Sequence, residues 1–505
     1  MIRPRIHDNI SFAVDEHIWG HRLHDAQLPH LTFLEFLTVY ASNVAQPFQV
    51  GADGYAEYTP QRQLRLRHIL FNNPHIDTVA RRRVADDDKW SEWTRLFLDG
   101  AVGLGEHDLD HLRDVFDCFD DFARAVDVLR SSAFEANSNK RWSSKFVFPY
   151  GKATLYEDLK VDSNGNGTND RNFFGRTGEL LYLMLARAQR ASELGQLLNA
   201  RLFDHSTQLN RLAQAVQGAP QLANSPKKTG YLPAGRLARF DRMCEDWITI
   251  LSCQMPIEDA IEHLVRSAGL NLLLYFIEQG KAVVGDTDPL ELLCEIVSQD
   301  RSKVRTLSGD AWQHYQTLST RAVRTSIQGV SGLPEWHQAL ASANPSEACA
   351  EVLSGMFQWP PQDSSYANKT PQGLVDELIE DATSRHSKHL GKVHSAWSRA
   401  IGLSSRRLSR RTRYAPDDRF LKTLVVTLVK GPMEFTEFLQ MAKKRYGLIC
   451  GEVEGVRFVK DNLVDQEALS DNAAKLQSRL LSLGLLRRLS DACAFVENPF
   501  TNEAG

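Results

Sequence analysis

Apolar residues recurring at helical spacing constrain this chain more than any other feature. In MPIEDAIEHLVRSAGLNLLLYFIEQG, Ile257, Ile261, Leu264 and Val265 fall on one helical face with charges between them. GELLYLMLARAQRASELGQLLNARL reads as one nearly all-round apolar helix that turns amphipathic. PHLTFLEFLTVYAS carries a capping-box pattern, Thr32 followed three residues later by Glu35, with Leu34 and Leu37 supplying the buried stripe. Strand signals are few and short, SKFVFPYG being the best before residue 400. The fold class is therefore mainly α, a multi-domain helical body.

At 505 residues, 42% of them hydrophobic and 24% charged, the chain can bury several cores. Clusters of Pro, Gly, Ser and Asn at Gly218–Pro233 and Trp359–Gly373 mark breaks. The expected organisation is an N-terminal helical domain over 1–140, a helical segment with a short strand and an Asn/Gly loop over 141–225, and a central helical domain over 226–384. A basic linker over 385–416 and a C-terminal module over 417–505 complete it. The seven cysteines are scattered and show no C-x-x-C spacing, which disfavours a disulfide framework and a thiolate zinc site. The N-terminus lacks a signal-peptide core, and the longest apolar runs fall short of the roughly 20 residues that span a bilayer. A cytoplasmic protein without membrane partners is the expectation.

Charge is unevenly spread. From Arg385 onward there are 21 Lys/Arg against 13 Asp/Glu, or +8, which leaves 38 against 50, or −12, out of the totals of 59 and 63. An acidic body with a basic tail suits contact with a polyanion. Arg385 to Lys422 holds eleven Lys/Arg and two acids, Asp417 and Asp418, with Trp397 and Tyr414 interleaved. Arg406, Arg407, Arg410, Arg411 and Arg413 are the phosphate-reaching candidates of this run.

The residues that follow add a pattern. DDRFLKTLVVTLVKGPMEFTEFLQMAKKRYG reads as helix, Gly431-Pro432 turn and shorter helix; DNAAKLQSRLLSLGLLRRLSDACAFVENPF reads as a third helix stopped by Gly484 and then a small hairpin. In the third helix Leu476, Leu480 and Leu483 form a buried stripe, while Lys475, Ser478, Arg479 and Ser482 recur at i, i+3, i+4 and i+7 on another face. Over roughly 417–500 this resembles a winged-helix (winged helix-turn-helix) DNA-binding domain, with the insertion LICGEVEGVRFVKDNLVDQEALS longer than the tight turn of its simplest members. The resemblance implies that the polar face of the third helix enters a major groove and that Arg487 and Arg488 sit on the wing beside the DNA.

Other motifs carry less. DSNGNGTNDRNFF places Asp162, Asn164, Asn166, Gly167, Thr168 and Asp170 as in a calcium-binding loop, but the closing twelfth position is Phe173, so it reads as an Asn/Gly turn. Gly151-Lys152 is no P-loop, since Phe146 and Ala153 occupy the places of the required Gly and Ser/Thr. HSKHLGKVH has the HxK of phospholipase-D-type nucleases but Val393 in place of the following Asp. In NFFGRTGELLYLML, Arg176 and Glu179 are set for a local ion pair, and Gly175 and Gly178 permit close approach of another chain or of a ligand phosphate at a helix N-terminus. In DEHIWGHRLHD, His17 and His21 at i, i+4, with His24, could share a metal, but Ile18, Trp19 and Gly20 supply no general-base Glu between them.

The reading that collects most of these features is a non-enzymatic DNA-binding scaffold subunit of a prokaryotic DNA-processing or anti-phage defence assembly. It takes double-stranded DNA and other protein subunits, an ATPase or nuclease among them, as partners and needs no cofactor. Two alternatives stay open: a winged-helix transcriptional regulator, and a metal-dependent hydrolase using the N-terminal histidines.

Overall fold

The computed structural model describes residues 13–21, 23–62, 64–71, 73–101, 103–132, 151–155, 159–161, 167–169, 175–204, 207–219, 221–222, 226–297, 302–359, 369–406, 411–490 and 493–501. The chain divides into two compact units: His30–Ala186 with Ala191–Thr229, and Met1–Pro29 with Arg187–Arg190 and Gly230–Gly505. Its first half holds helices α1 (Val14–Trp19), α2 (Pro29–Ser42), α3 (Leu64–Phe71), α4 (Ile76–Ala80), α5 (Asp86–Gly100), α6 (Asp110–Val115), α7 (Phe119–Ser132), α8 (Thr177–Ala186), α9 (Ala191–Leu198) and α10 (Gln208–Gln217). Its second half holds α11 (Ala238–Ser252), α12 (Ile257–Val284), α13 (Lys303–Gln328), α14 (Pro334–Leu340), α15 (Pro345–Phe357), α16 (Pro371–Lys388), α17 (Val393–Ala400), α18 (Asp418–Leu428), α19 (Phe435–Tyr446), α20 (Val456–Lys460) and α21 (Gln466–Ser482). The protein is mainly α, as its periodicity requires.

In the smaller unit, Trp90, Trp93 and Phe97 of α5 meet Phe119 and Phe122 of α7 in an aromatic core, Trp93 stacking on Phe97 with centroids 4.9 Å apart. Antiparallel pairs join β1 (Glu57–Tyr58) to β6 (Lys227–Lys228), β2 (Gln61–Arg62) to β5 (Gln221–Leu222), and β3 (Leu159–Val161) to β4 (Gly167–Asn169). The calcium-loop positions Asp162, Asn164, Asn166 and Asp170, and most of the SKFVFPYG segment, lie outside the described residues.

Glu35 does not close a capping box with Thr32. α2 opens earlier, at Pro29, and the Glu35 carboxylate instead accepts the Arg176 (3.1 Å) and Gly178 (2.6 Å) amides at the start of α8. A Cβ on Gly178 would stand 2.5 Å from the Thr32 carbonyl oxygen, so this glycine lets α8 lie directly on α2. The expected ion pair forms, Arg176 Nε to Glu179 Oε2 at 2.7 Å, and Tyr58 donates its hydroxyl to Glu179 at 2.6 Å. A protein carboxylate therefore fills the place considered for a ligand phosphate. The single helix expected over GELLYLMLARAQRASELGQLLNARL breaks at Arg187–Arg190, where Arg187 donates to the Leu232 carbonyl (3.1 Å) and Asp241 accepts the Gln189 amide (2.7 Å).

In the larger unit, α12 and α13 pack together at the centre. One hydrophobic core joins Leu270, Leu274 and Ile277 of α12 and Trp312, Tyr315 and Leu318 of α13 to Phe420, Leu424, Phe438, Leu476, Leu480 and Val496 from the C-terminal elements. Burying these side chains in one cluster makes the C-terminal region part of this core.

The expected basic linker differs most from the structure. Residues 385–406 and 411–416 hold the end of α16, a short 3-10 turn, α17 and an antiparallel pair, β8 (Ser404–Ser405) with β9 (Arg413–Tyr414). Trp397 and Tyr414, read as aromatics among exposed charge, are both buried. Tyr414 donates its hydroxyl to His394 Nε2 (2.8 Å), and His394 Nδ1 donates to Gln316 Oε1 (3.1 Å). Burial pushes His394 down to about 3, so the ring is neutral.

Candidate nucleic-acid interface

Asp417 opens α18 by accepting the Phe420 amide at 2.8 Å. After Gly431-Pro432 a short strand, β10 (Met433–Glu434), leads into α19. The segment between α19 and α21 is stitched to the body: β11 (Leu448–Ile449) pairs in parallel with β7 (Leu292–Leu293). Gly447 makes this possible. It has φ +75°, and a Cβ there would stand 2.4 Å from the Leu290 carbonyl oxygen.

Asn472, on the buried side of α21, completes the stitch. Its Nδ2 donates to the carbonyls of Cys294 (3.0 Å) and Cys450 (2.7 Å), and its Oδ1 accepts the Ile296 amide (2.8 Å). One buried amide thus ties α21 to the body and to the insertion. Helix α21 ends on a Schellman arrangement: the Leu485 amide donates to the Leu480 carbonyl (2.9 Å) and the Gly484 amide to the Leu481 carbonyl (3.0 Å), with Gly484 at φ +70°. The chain then forms β12 (Leu486–Ser490) and β13 (Cys493–Val496), and β10 joins them in an antiparallel sheet of order β10-β13-β12.

Leu476 and Leu480 are buried and Leu483 packs partly buried against the same core, as their spacing requires. The opposite face carries Lys475, Ser478, Arg479 and Ser482, half-buried or exposed. The two serine hydroxyls donate to carbonyls of their own helix, Ser478 to Ala474 (3.0 Å) and Ser482 to Arg479 (2.8 Å), and remain at the surface. Arg479 Nε contacts Asp418 Oδ1 at 2.6 Å, with the two side chains 27% and 52% exposed. Lys422, at i+4 from Asp418, lies on the same side of α18, is exposed, and has no ion pair among the described residues. In the sequence Lys422 counts only as the last cation of the Arg385–Lys422 run, and nothing local places it beside Arg479.

On the hairpin, Arg487 is exposed and pairs with Glu497 at 2.8 Å, and exposed Arg488 reaches Gln477 at 3.5 Å. Leu481 and Leu489 are exposed beside them, at 48% and 61%.

The arginine run separates into three fates. Arg406 and Arg411 are exposed, Arg411 facing Asp310 at 3.1 Å. Arg407 and Arg410 lie outside the described residues. Arg413 is 1% exposed and donates its Nε–H to Glu295 Oε2, while Arg305 donates to Glu295 Oε1 at 2.6 Å. The buried carboxylate between two guanidiniums turns Arg413 inward, away from any phosphate.

A second cationic feature is a groove of about 590 Å³ lined by Arg239, Arg242, Lys443, Lys444 and Arg445, with Leu290 and Val453 as apolar wall. Most of its cations are engaged. Arg445 holds Asp246 (2.7 Å) and Glu245 (3.0 Å), Arg239 holds Glu278, and Lys443 donates to the Glu454 carbonyl (2.6 Å).

The N-terminal histidines do not assemble as spaced. α1 stops at Trp19, and Gly20 turns the chain at φ +101°, so His21 leaves the helix that would have set it beside His17. His17 packs on Phe357, ring centroids 5.5 Å apart, and the His21 amide donates to the Tyr231 carbonyl at 2.8 Å.

Residues 398–497 match a family described as methylation-associated defense system protein MAD7. The MAD7-like stretch starts within α17 and ends just after β13, so it takes in the β8–β9 pair, α18 to α21 and the three-stranded sheet. It covers about a fifth of the chain. No curated protein and no solved structure matches the chain. Among the described residues, no helix is long and apolar enough to cross a membrane.

Proposed function

We propose that the chain is a non-enzymatic, DNA-binding scaffold subunit of a prokaryotic anti-phage defence assembly, and that α18 to β13 act as its winged helix on duplex DNA. The observation that carries this reading is the order helix (α18), strand (β10), helix (α19), an insertion holding β11 and α20, helix (α21) and hairpin (β12–β13), with the polar and cationic face of α21 turned outward and Arg487 and Arg488 exposed on the hairpin. Such a face matches a major groove, where short polar side chains reach base edges and cations reach phosphates. Lys422, Arg406 and Arg411 would extend the phosphate contacts. The family matched at 398–497 is named for a methylation-associated defense system, which supports the defence context. Partner subunits would supply the motor and nuclease chemistry, the helical body serving as their platform.

The test is anisotropy of a labelled duplex titrated with full-length protein over a salt series. Wild type should bind with an affinity that falls steeply with salt. The Arg487→Glu, Arg488→Glu variant should lose about tenfold or more at low salt, each lost phosphate contact lowering the slope by roughly 0.9. Equal binding by both proteins would overturn the reading and recast this face as a protein-docking surface.

A further inference from the structure

The two histidine-rich segments, far apart in sequence, meet in the larger unit. His24 and Asp25 lie in the turn that follows α1, and His389 is the residue just after α16. Their imidazoles lie against each other, centroids 4.6 Å apart and 35° between planes. Asp25 Oδ1 is 3.4 Å from Nδ1 of His24 and 3.4 Å from Nδ1 of His389. One ligand atom from each residue falls within 4.8 Å of the other two.

These separations are too long for good hydrogen bonds, which run about 2.7–3.2 Å between nitrogen and oxygen. Asp25 Oδ1 is enclosed and makes no hydrogen bond among the described residues, although both imidazoles face it. The separations do match a metal polyhedron. Two donors each about 2.0–2.1 Å from a tetrahedral zinc stand about 3.3 Å apart. The surroundings also hold the residues in place. His386, one turn before His389, is buried with Nδ1 3.0 Å from Asp15 Oδ1 and Nε2 2.9 Å from Ser319 Oγ, and it stacks on Trp19. That lock fixes the end of α16 against α1.

We propose that His24, Asp25 and His389 form a binding site for a divalent transition metal, zinc foremost, stapling the turn after α1 to the end of α16. Two imidazoles and one carboxylate, with no thiolate, suit zinc, cobalt or nickel and not magnesium or calcium, which need oxygen ligands throughout. His389 is 53% exposed, so water can complete the coordination. His24 Nδ1 at present accepts the Ala26 amide at 3.1 Å, so loading exchanges one backbone hydrogen bond for a metal bond.

The experiment is calorimetric titration of chelator-treated full-length protein with zinc chloride and, separately, magnesium chloride, alongside thermal unfolding with and without zinc. One zinc per chain should bind, magnesium should not, and zinc should raise the unfolding temperature. His389→Ala and Asp25→Asn should each weaken zinc binding about tenfold or more and abolish the thermal shift, while His17→Ala should leave both unchanged. His389 lies at the surface, so its variant should keep the fold. Absence of saturable zinc binding by wild type, or equal binding by wild type and both ligand variants, would overturn the site.

Discussion

Asp418→Asn should tighten DNA binding. In the free protein the Asp418 carboxylate holds Arg479 at 2.6 Å, on the face proposed to enter the groove, and DNA has to draw the guanidinium away from it. The pair is half-exposed, and pairs of this kind are worth about 0.2–1 kcal/mol, so freeing Arg479 should raise affinity by roughly 1.4- to 5-fold. Removing a negative charge beside the phosphates adds to the gain at low ionic strength. The slope of log affinity against log salt should steepen by up to about 0.9, one more phosphate being neutralised. Asp418 also lies in the first turn of α18, so its loss costs about 0.3–1 kcal/mol of stability through the helix dipole. The assay is duplex anisotropy across a salt series with Asp418→Asn, Arg479→Ala and the double variant, which isolates the coupling. If Asp418→Asn binds no more tightly than wild type, or tightens equally in the Arg479→Ala background, the assignment of Arg479 is refuted.

Three further outcomes follow from the core. Burial holds His394 at about 3 and His263 at about 4, both below the ordinary 6.5, so the unfolded chain takes these protons first. Stability should be full above pH ~6.5 and fall as pH drops toward 4, by about 1.4 kcal/mol per unit for each histidine; denaturant midpoints at stepped pH should show a shallower loss for His394→Gln. Asn472→Leu strands the Ile296 amide and the Cys294 and Cys450 carbonyls, at about 1–3 kcal/mol each, so chemical denaturation should show a loss of at least about 3 kcal/mol. Arg413→Met breaks the buried triad at Glu295 and should cost about 3–5 kcal/mol while leaving DNA affinity per folded molecule unchanged, as duplex anisotropy corrected by a stoichiometric titration of the binding-competent fraction would show.

The helices and the two faces of α21 were legible because period and polarity are local properties. Leu476, Leu480, Lys475 and Ser478 declare their sides within one helix. What misled was also local. Eleven cations between Arg385 and Lys422 read as an exposed linker, because nothing in that stretch reveals Glu295, which neutralises Arg413, or Gln316, which satisfies His394. Thr32 and Glu35 have capping-box spacing, yet the carboxylate serves a helix more than 140 positions away. Nothing local singles out Asn472, whose role exists only once three distant strands of chain meet. For the same reason the two compact units do not follow the five segments drawn from composition. The shared core of α12, α13 and the C-terminal elements also means that removing residues after Ser384 would open the hydrophobic interior, so point variants in the full chain are the sound test of DNA binding.

The central claim is that the outward face of α21 lies on DNA. Photo-crosslinking reports it most directly, with p-benzoylphenylalanine at Ser478 or Ser482 in the full-length protein and, as control, at exposed Ser342 between α14 and α15. Irradiation with duplex DNA should give adducts from positions 478 and 482 that disappear at high salt, and none from 342. Adducts equally strong from all three positions, or absent at both α21 positions while the duplex is bound, would contradict it.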